Sequence, residues 1–122
     1  MHNFRELNIW RDALELASEI FSLTKKFPAE ERYGLISQIN RSAVSVPSNI
    51  AEGSSRKSNK DFYRFLEIAL GSCFELETQL IIAEKCRYIT DTECQQGIDK
   101  VQRLQKMIFS FKDKIQNQTQ SS

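Results

Sequence analysis

Few residues of this chain could take part in chemistry. Its single histidine is His2, and its cysteines, Cys73, Cys86 and Cys94, form no Cys-x-x-Cys pair. The ligand spacings typical of zinc sites are therefore absent. No nucleophile elbow, phosphate-binding glycine loop or Glu-x-x-His motif occurs, and a general base such as Glu52 would lack a second catalytic group. The sequence predicts no enzyme, no metal and no cofactor.

A run of polar residues is the next candidate site. Arg41, Ser45, Ser48 and Glu52 follow one another at spacings of four, three and four residues, which places them on one helical face with Asn49 beside them. Arg41, Asn49 and Glu52 could form a binding or assembly surface, which we call the polar stripe. The alternative is a solvated outer face whose serines let the helix pack.

Two groups of basic residues could bind nucleic acid. The first, which we call the turn cluster, is Arg56, Lys57, Lys60 and Arg64. The second, the late cluster, is Lys100, Arg103 and Lys106. Such groups bind phosphate backbones by charge without reading sequence, although ordinary solvated faces look the same. The net charge of +1 offers no attraction from the whole molecule, so binding would depend on a local patch.

The elements that position these residues are predicted by apolar periodicity. Spacings of three and four residues indicate amphipathic helices. The first helix has a stripe of Trp10, Ala13, Leu14, Ala17, Ile20 and Phe21. The second helix is expected to have Pro28 in its first turn and Gly53 as its left-handed cap. Pro47 cannot donate to Ala43, so a kink is expected there, with the hydroxyls of Ser45 and Ser48 bonding the freed carbonyls.

The last two helices have clear starting signals. Ser58 with Asp61, and Thr90 with Glu93, approximate capping boxes. The third helix has the most regular stripe, made of Phe62, Leu66, Ala69, Cys73, Leu76, Leu80 and Ala83. Four helices with short connections predict one all-α domain over residues 1–122, an up-down-up-down antiparallel four-helix bundle with a polar, frayed tail at residues 116–122. Without a signal-peptide core or membrane-spanning run, the chain is expected to be cytoplasmic, with no membrane partner.

The third helix has a second apolar face, opposite its core stripe. It consists of Ile68, Gly71, Phe74 and Ile82, and we call it the outer apolar face. A glycine in the middle of a helix costs about 1 kcal/mol relative to alanine, which is understandable where another backbone approaches. We therefore expect this face to meet another subunit, whereas the alternative is a set of scattered surface apolar residues.

Several segments together resemble a known family. The chain is similar to the bacterial four-helix bundle proteins, also called 23S ribosomal RNA intervening-sequence proteins, in four segments. These are Leu7-Asn8-Ile9-Trp10, Phe27-Pro28, Tyr33-Gly34-Leu35 and the block from Arg41 to Gly53. The similarity continues through Gly71-Ser72 into the fourth helix, so it covers nearly the whole chain.

This resemblance implies a left-handed bundle that assembles into a ring-shaped homopentamer, often encoded within 23S rRNA genes and mostly without an assigned role. A related branch, the accessory proteins of diversity-generating retroelements, comprises basic pentamers that bind nucleic acid and a reverse transcriptase; this chain differs in being nearly neutral. We therefore expect a homo-oligomeric scaffold or an RNA-associated accessory protein. The alternative is an adaptor for an unidentified protein, with no nucleic-acid role, that uses the polar stripe.

Overall fold

The protein consists of four long helices that follow one another along the chain. A computed structural model describes residues 2–121, and side chains through residue 118. The helices are α1 (Asn8–Thr24), α2 (Leu35–Ser54), α3 (Asn59–Lys85) and α4 (Asp91–Ser121). Two 3-10 turns, η1 (Phe4–Glu6) and η2 (Ala29–Glu31), precede α1 and α2. No strand occurs in the described part of the chain, which confirms the all-α prediction.

Each helix packs antiparallel to the next one in the chain. Along the α2–α3 pair, Ser45 meets Ser72 and Gly53 meets Phe65, so residue numbers rise on one helix and fall on the other. The α1 helix also contacts α4, whereas α1 and α3 do not touch within the described residues. In the predicted four-helix bundle, α1 and α3 therefore lie diagonally opposite each other.

The core is formed by the inward stripes of all four helices. On α3 the predicted stripe is buried in full, from Phe62 to Ala83. On α1 the prediction is wrong for two residues, because Leu14 is 48% exposed and Phe21 is 41% exposed. The buried stripe of α1 is Ile9, Ala13, Leu16, Ala17, Ile20 and Thr24. Two overlapping apolar stripes run along this helix, and their spacing alone does not tell which one the bundle covers.

The start of α2 also differs from the prediction. Pro28 lies outside the helix in an extended conformation before η2, and α2 begins only at Leu35. The Glu31 carboxylate explains this start, because its Oε1 accepts the Leu35 N–H at 3.2 Å. Its Oε2 accepts the Tyr88 hydroxyl at 2.8 Å, which joins the α1–α2 connection to the α3–α4 connection. This hydrogen bond lowers the pKa of Glu31 and raises the pKa of Tyr88 to about 12.

Gly53 does not end α2 in a left-handed conformation, as the sequence suggested. The helix continues through it to Ser54, and no described glycine has a positive φ. Its role is close packing, because a Cβ at this position would lie 2.7 Å from the Phe65 Cβ and 2.9 Å from the Phe62 Cδ1. Gly53 thus allows α3 to approach the end of α2.

Both predicted capping signals are present. Ser58 Oγ accepts the Asp61 N–H at 3.2 Å, and Thr90 and Glu93 each accept the backbone N–H of the other at 3.0 Å. The predicted tail, residues 116–122, continues α4 as far as Ser121, and Ser122 lies outside the described residues. No helix among the described residues is long and apolar enough to cross a lipid bilayer.

Candidate nucleic-acid interface

The turn cluster lies at one end of the bundle, where α2 leads into α3. Arg56 and Lys57 are in the connection, Lys60 is in the first turn of α3, and Arg64 follows one turn later. All four side chains are exposed. The structure thus gathers the predicted residues on one surface, because a short connection and the first turns of one helix hold them.

An aromatic ring holds two of these cations in place. The Arg56 guanidinium lies 4.8 Å from the centre of the Phe65 ring, and the Arg64 guanidinium lies 5.9 Å from it. Such cation–π contacts contribute about 0.5–1 kcal/mol at exposed sites and restrict the side chain. Phe65 itself packs against Gly53. Phe65 is not among the site residues predicted from the sequence, although an aromatic residue between basic ones is a recognisable signal.

The acids of this end neutralise the two arginines only weakly. Glu52 lies 3.3 Å from Arg56, and Asp61 lies 3.7 Å from Arg64, in both cases between exposed side chains on neighbouring turns. Exposed pairs of this kind contribute about 0–1 kcal/mol, so a phosphate group can replace the carboxylate at little cost. Lys57 and Lys60 form no ion pair within residues 2–118.

The chain before α1 packs against the same end. The backbone N–H of His2 donates to the Ser54 carbonyl at 3.0 Å. The His2 ring lies 5.1 Å from the Phe62 ring and 6.4 Å from the Phe111 ring. Phe62 and Phe111 are themselves in edge contact at 5.6 Å. The turn cluster therefore sits beside aromatic packing that involves α3, α4 and the first residues of the chain.

The late cluster is arranged differently. Lys100 pairs with Glu19 at 2.6 Å, and Arg103 approaches Asp12 at 4.0 Å. Both acids belong to α1, so the positive charge of α4 is balanced across the α1–α4 contact. Lys106 is exposed. The late cluster therefore offers a ligand less unbalanced charge than its sequence suggests.

Part of the polar stripe is engaged inside the protein. Asn49 donates to the carbonyl and the hydroxyl of Ser45, at 2.8 and 3.0 Å. Ser45 Oγ is hydrogen-bonded to Ser72 Oγ at 2.8 Å, across the α2–α3 contact. The expectation that Ser45 would bond a carbonyl freed by Pro47 is therefore wrong. Arg41 is exposed, and Glu52 is engaged with Arg56.

The outer apolar face is open in the single chain. Ile68 is 47% exposed, Phe74 53% and Ile82 44%. A Cβ added at Gly71 would meet nothing within 4 Å. The described residues thus present an uncovered apolar helix face, and the expected contact with another subunit stays a prediction.

The cysteines differ in their surroundings. Burial raises the pKa of the Cys73 thiol to about 12 and also raises the pKa of Cys94, so both stay protonated at neutral pH. Cys86 is exposed at the end of α3. Among the described residues, no three His, Cys, Asp or Glu side chains are grouped so that they could hold a metal ion.

The fold and this basic end define the class as an all-helical protein of four antiparallel helices with a cationic turn. A family model described as 23S rRNA-intervening sequence protein matches residues 5–110. Because this match spans most of the chain, the protein belongs to the 23S rRNA-intervening sequence protein family, as its resemblance indicated.

A solved structure is similar over most of its length. It is a crystal structure of a protein of unknown function from the S23 ribosomal protein family of Bacteroides thetaiotaomicron. The two chains are 29% identical with a TM-score of 0.79, and the similarity covers 84% of this chain and 96% of that one. A comparison with curated proteins gives no match.

Proposed function

We propose that this protein is a non-enzymatic, cytoplasmic, homo-oligomeric accessory protein that binds structured RNA through the phosphate backbone. The observation that supports this proposal is the turn cluster, in which two guanidinium groups lie over the Phe65 ring beside two lysines that form no ion pair within residues 2–118. The family description refers to 23S rRNA, which makes RNA the first ligand to test.

The chemistry of the turn cluster suits phosphate better than bases. Arginine presents a planar fork of N–H donors that fits phosphate oxygens, and lysine adds a mobile point charge. Structured RNA is recognised largely by its shape and its phosphate and 2′-hydroxyl groups, because its deep major groove is closed to side chains. Affinity should therefore depend strongly on salt and weakly on sequence.

Self-assembly would strengthen such binding. One turn cluster gives a single chain only a small excess of positive charge, and the whole chain has a net charge of +1. Several copies would present several clusters to one RNA, and linked sites bind more tightly than separate ones. The uncovered outer apolar face supports assembly, because exposed apolar patches mark protein contacts.

The adaptor hypothesis, in which the polar stripe binds another protein, has less support. The Asn49 amide is engaged with Ser45, and Glu52 is paired with Arg56, which leaves Arg41 as the freest member of the stripe. A pull-down that loses a protein partner when Arg41 is replaced by alanine would favour the adaptor.

The proposal predicts that the double variant Lys57→Glu, Lys60→Glu binds RNA at least about 10-fold more weakly than the wild type at low salt. The slope of log affinity against log salt should also become shallower by about 1 for each lysine that contacts a phosphate. Binding would be measured with a structured rRNA fragment and with an unrelated RNA, at several salt concentrations.

The matched control is Lys25→Glu, Lys85→Glu, which makes the same change in net charge at two exposed positions outside both basic clusters. We expect this control to retain most of the affinity. Equal losses in the two variants would show that only the net charge matters. No binding by the wild type at low salt would reject the RNA proposal.

A further inference from the structure

The protein has a second uncovered apolar surface, in a groove between α1 and α2. The groove has a volume of about 850 Å³ and is lined by Trp10, Leu14, Phe21, Val44 and Pro47, among others. Leu14 and Phe21, which the sequence suggested were core residues, are exposed here, and Val44 is 42% exposed. The apolar stripe that the core leaves uncovered on α1 is thus one wall of this groove.

The groove and the outer apolar face lie on different sides of the molecule. The groove is bounded by α1 and α2, whereas the face is on the outer side of α3, which does not contact α1. One copy of the chain can therefore use both surfaces at the same time, each with a different neighbour.

A groove and an apolar helix face of similar length are the two halves of a helix-in-groove contact. A groove between two helices accepts an amphipathic helix whose anchors recur on one face. The outer apolar face has such anchors from Ile68 to Ile82, a length of about 21 Å at 1.5 Å per residue. The α1 wall of the groove, from Trp10 to Phe21, is about 16 Å long. Gly71, with nothing within 4 Å of its would-be Cβ, leaves room for close approach.

Charge favours this pairing over a symmetric contact of two outer faces. Glu75 is exposed and lies at the midpoint between Ile68 and Ile82. A two-fold contact centred on the face would therefore bring two Glu75 carboxylates together. The groove is lined by one charge of each sign, Arg11 and Glu15, and the Arg11 guanidinium, which donates only to the side chain of Asn8 and the carbonyl of Glu6, is the group that a Glu75 carboxylate would meet.

The area needed for stable association points the same way. A single helix face of this length and about 10 Å width offers only about 200 Å², against the roughly 800 Å² per partner of a stable interface. A helix seated in a groove is covered on its flanks as well as on its face. A copy that uses both of its surfaces also buries more area than a copy that uses one.

We propose that the outer apolar face of one copy docks into the α1–α2 groove of the next copy. This inference rests on the self-assembly in the proposed function and specifies its geometry. The contact is head-to-tail, because different surfaces meet, and it continues from copy to copy until a ring closes.

The test uses two variants that each lack one surface. The face variant is Ile68→Asp, Ile82→Asp, and the groove variant is Leu14→Asp, Val44→Asp. All four residues are more than 40% exposed in the single chain, so both variants should fold, which circular dichroism would check. We expect each variant alone to be monomeric, with self-affinity reduced at least about 100-fold, because buried charges oppose the contact.

Mixing the two variants gives the decisive result. The face variant retains an intact groove and the groove variant an intact face, so an equimolar mixture should form a heterodimer that cannot grow further. Sedimentation would measure this mass. The control variant Ser22→Asp, Ser110→Asp, which adds the same charge at exposed positions outside both surfaces, should assemble as the wild type does.

Other outcomes overturn the inference in distinguishable ways. A face variant or a groove variant that assembles alone would show that its altered surface is not used. Two monomeric variants that fail to combine would reject the pairing while self-assembly stands. A monomeric wild type would reject both the pairing and the self-assembly in the proposed function.

Discussion

Two pairs of exposed cations differ in their surroundings: Lys57 and Lys60 at one end of the bundle, and Lys100 and Arg103 along α4. Within the described residues, only the second pair has acidic partners. Lys100 is 2.6 Å from Glu19, and Arg103 is 4.0 Å from Asp12. Exposure alone therefore does not make a cation available to a ligand. A cation is available when no acidic side chain packs opposite it.

The difference follows from the arrangement of the helices. Opposite the late cluster lies α1, which contributes Asp12 and Glu19 at the height of Arg103 and Lys100. Within the described residues, no acid of another helix forms an ion pair with the turn cluster, whose own acids, Glu52 and Asp61, are neighbours in sequence that pair with the two arginines. The α1–α4 contact therefore uses its charges for stability, whereas the α2–α3 turn leaves two of them free.

The largest expected effect comes from reversing the charges on α4. In the variant Lys100→Glu, Arg103→Glu, four acids face one another across the α1–α4 contact, so we expect a loss of about 1–2 kcal/mol in the free energy of unfolding. Urea unfolding at low and high salt would measure it, and high salt should reduce the loss. Lys57→Glu, Lys60→Glu is the matched variant, and its loss should stay within about 0.5 kcal/mol. Equal losses would contradict the distinction between the clusters.

A smaller effect is expected when the partners of the late cluster are neutralised. The variant Asp12→Asn, Glu19→Gln keeps the shape of both side chains but frees Lys100 and Arg103. We expect RNA affinity at low salt to rise by about 3- to 5-fold, with a steeper salt dependence. Glu6→Gln, Glu30→Gln makes the same change in net charge at two exposed acids elsewhere. An equal rise in this control would mean that local pairing is irrelevant.

The smallest effect concerns pH at the start of α4, where Lys26, in the connection after α1, pairs with Glu93. Lys26 hydrogen-bonds to Glu93, and this bond, with the Thr90 N–H, lowers the pKa of Glu93 below 4.5. Because the folded pKa is the lower one, the stabilisation is complete above about pH 4.5 and is lost as pH falls through the folded value.

Urea unfolding between pH 6 and pH 3 would detect this loss, which should be smaller than that caused by charge reversal on α4. The variant Lys26→Gln should show a weaker pH dependence because it lacks the main cause of the lowered pKa. The same pH dependence in both proteins would exclude the Lys26–Glu93 bond as its source.

Features set by neighbouring residues could be predicted from the sequence. Both capping signals depend on side chains three residues apart, and both are present. The α3 stripe is buried as predicted because α3 packs along α2 and along α4, which cover its apolar arc.

Features that depend on helix rotation and register could not be predicted. Leu14 and Phe21 belong to an apolar stripe that the bundle leaves open, and Gly53 serves packing against Phe65. The four basic residues of the candidate site were found from their clustering. The pairing of Lys100 with Glu19 joins residues 81 positions apart, so only the relative position of α1 and α4 shows which basic cluster stays free.

The Glu31 carboxylate also limits how the loops of this protein can change. One side chain starts α2 and accepts the Tyr88 hydroxyl from the opposite connection. An insertion or deletion in the α1–α2 connection would therefore displace the acceptor that the α3–α4 connection uses, and the reverse also holds. A change of length in either loop is therefore expected to cost the bond, whereas the α2–α3 turn takes no part in it and can gain or lose residues separately.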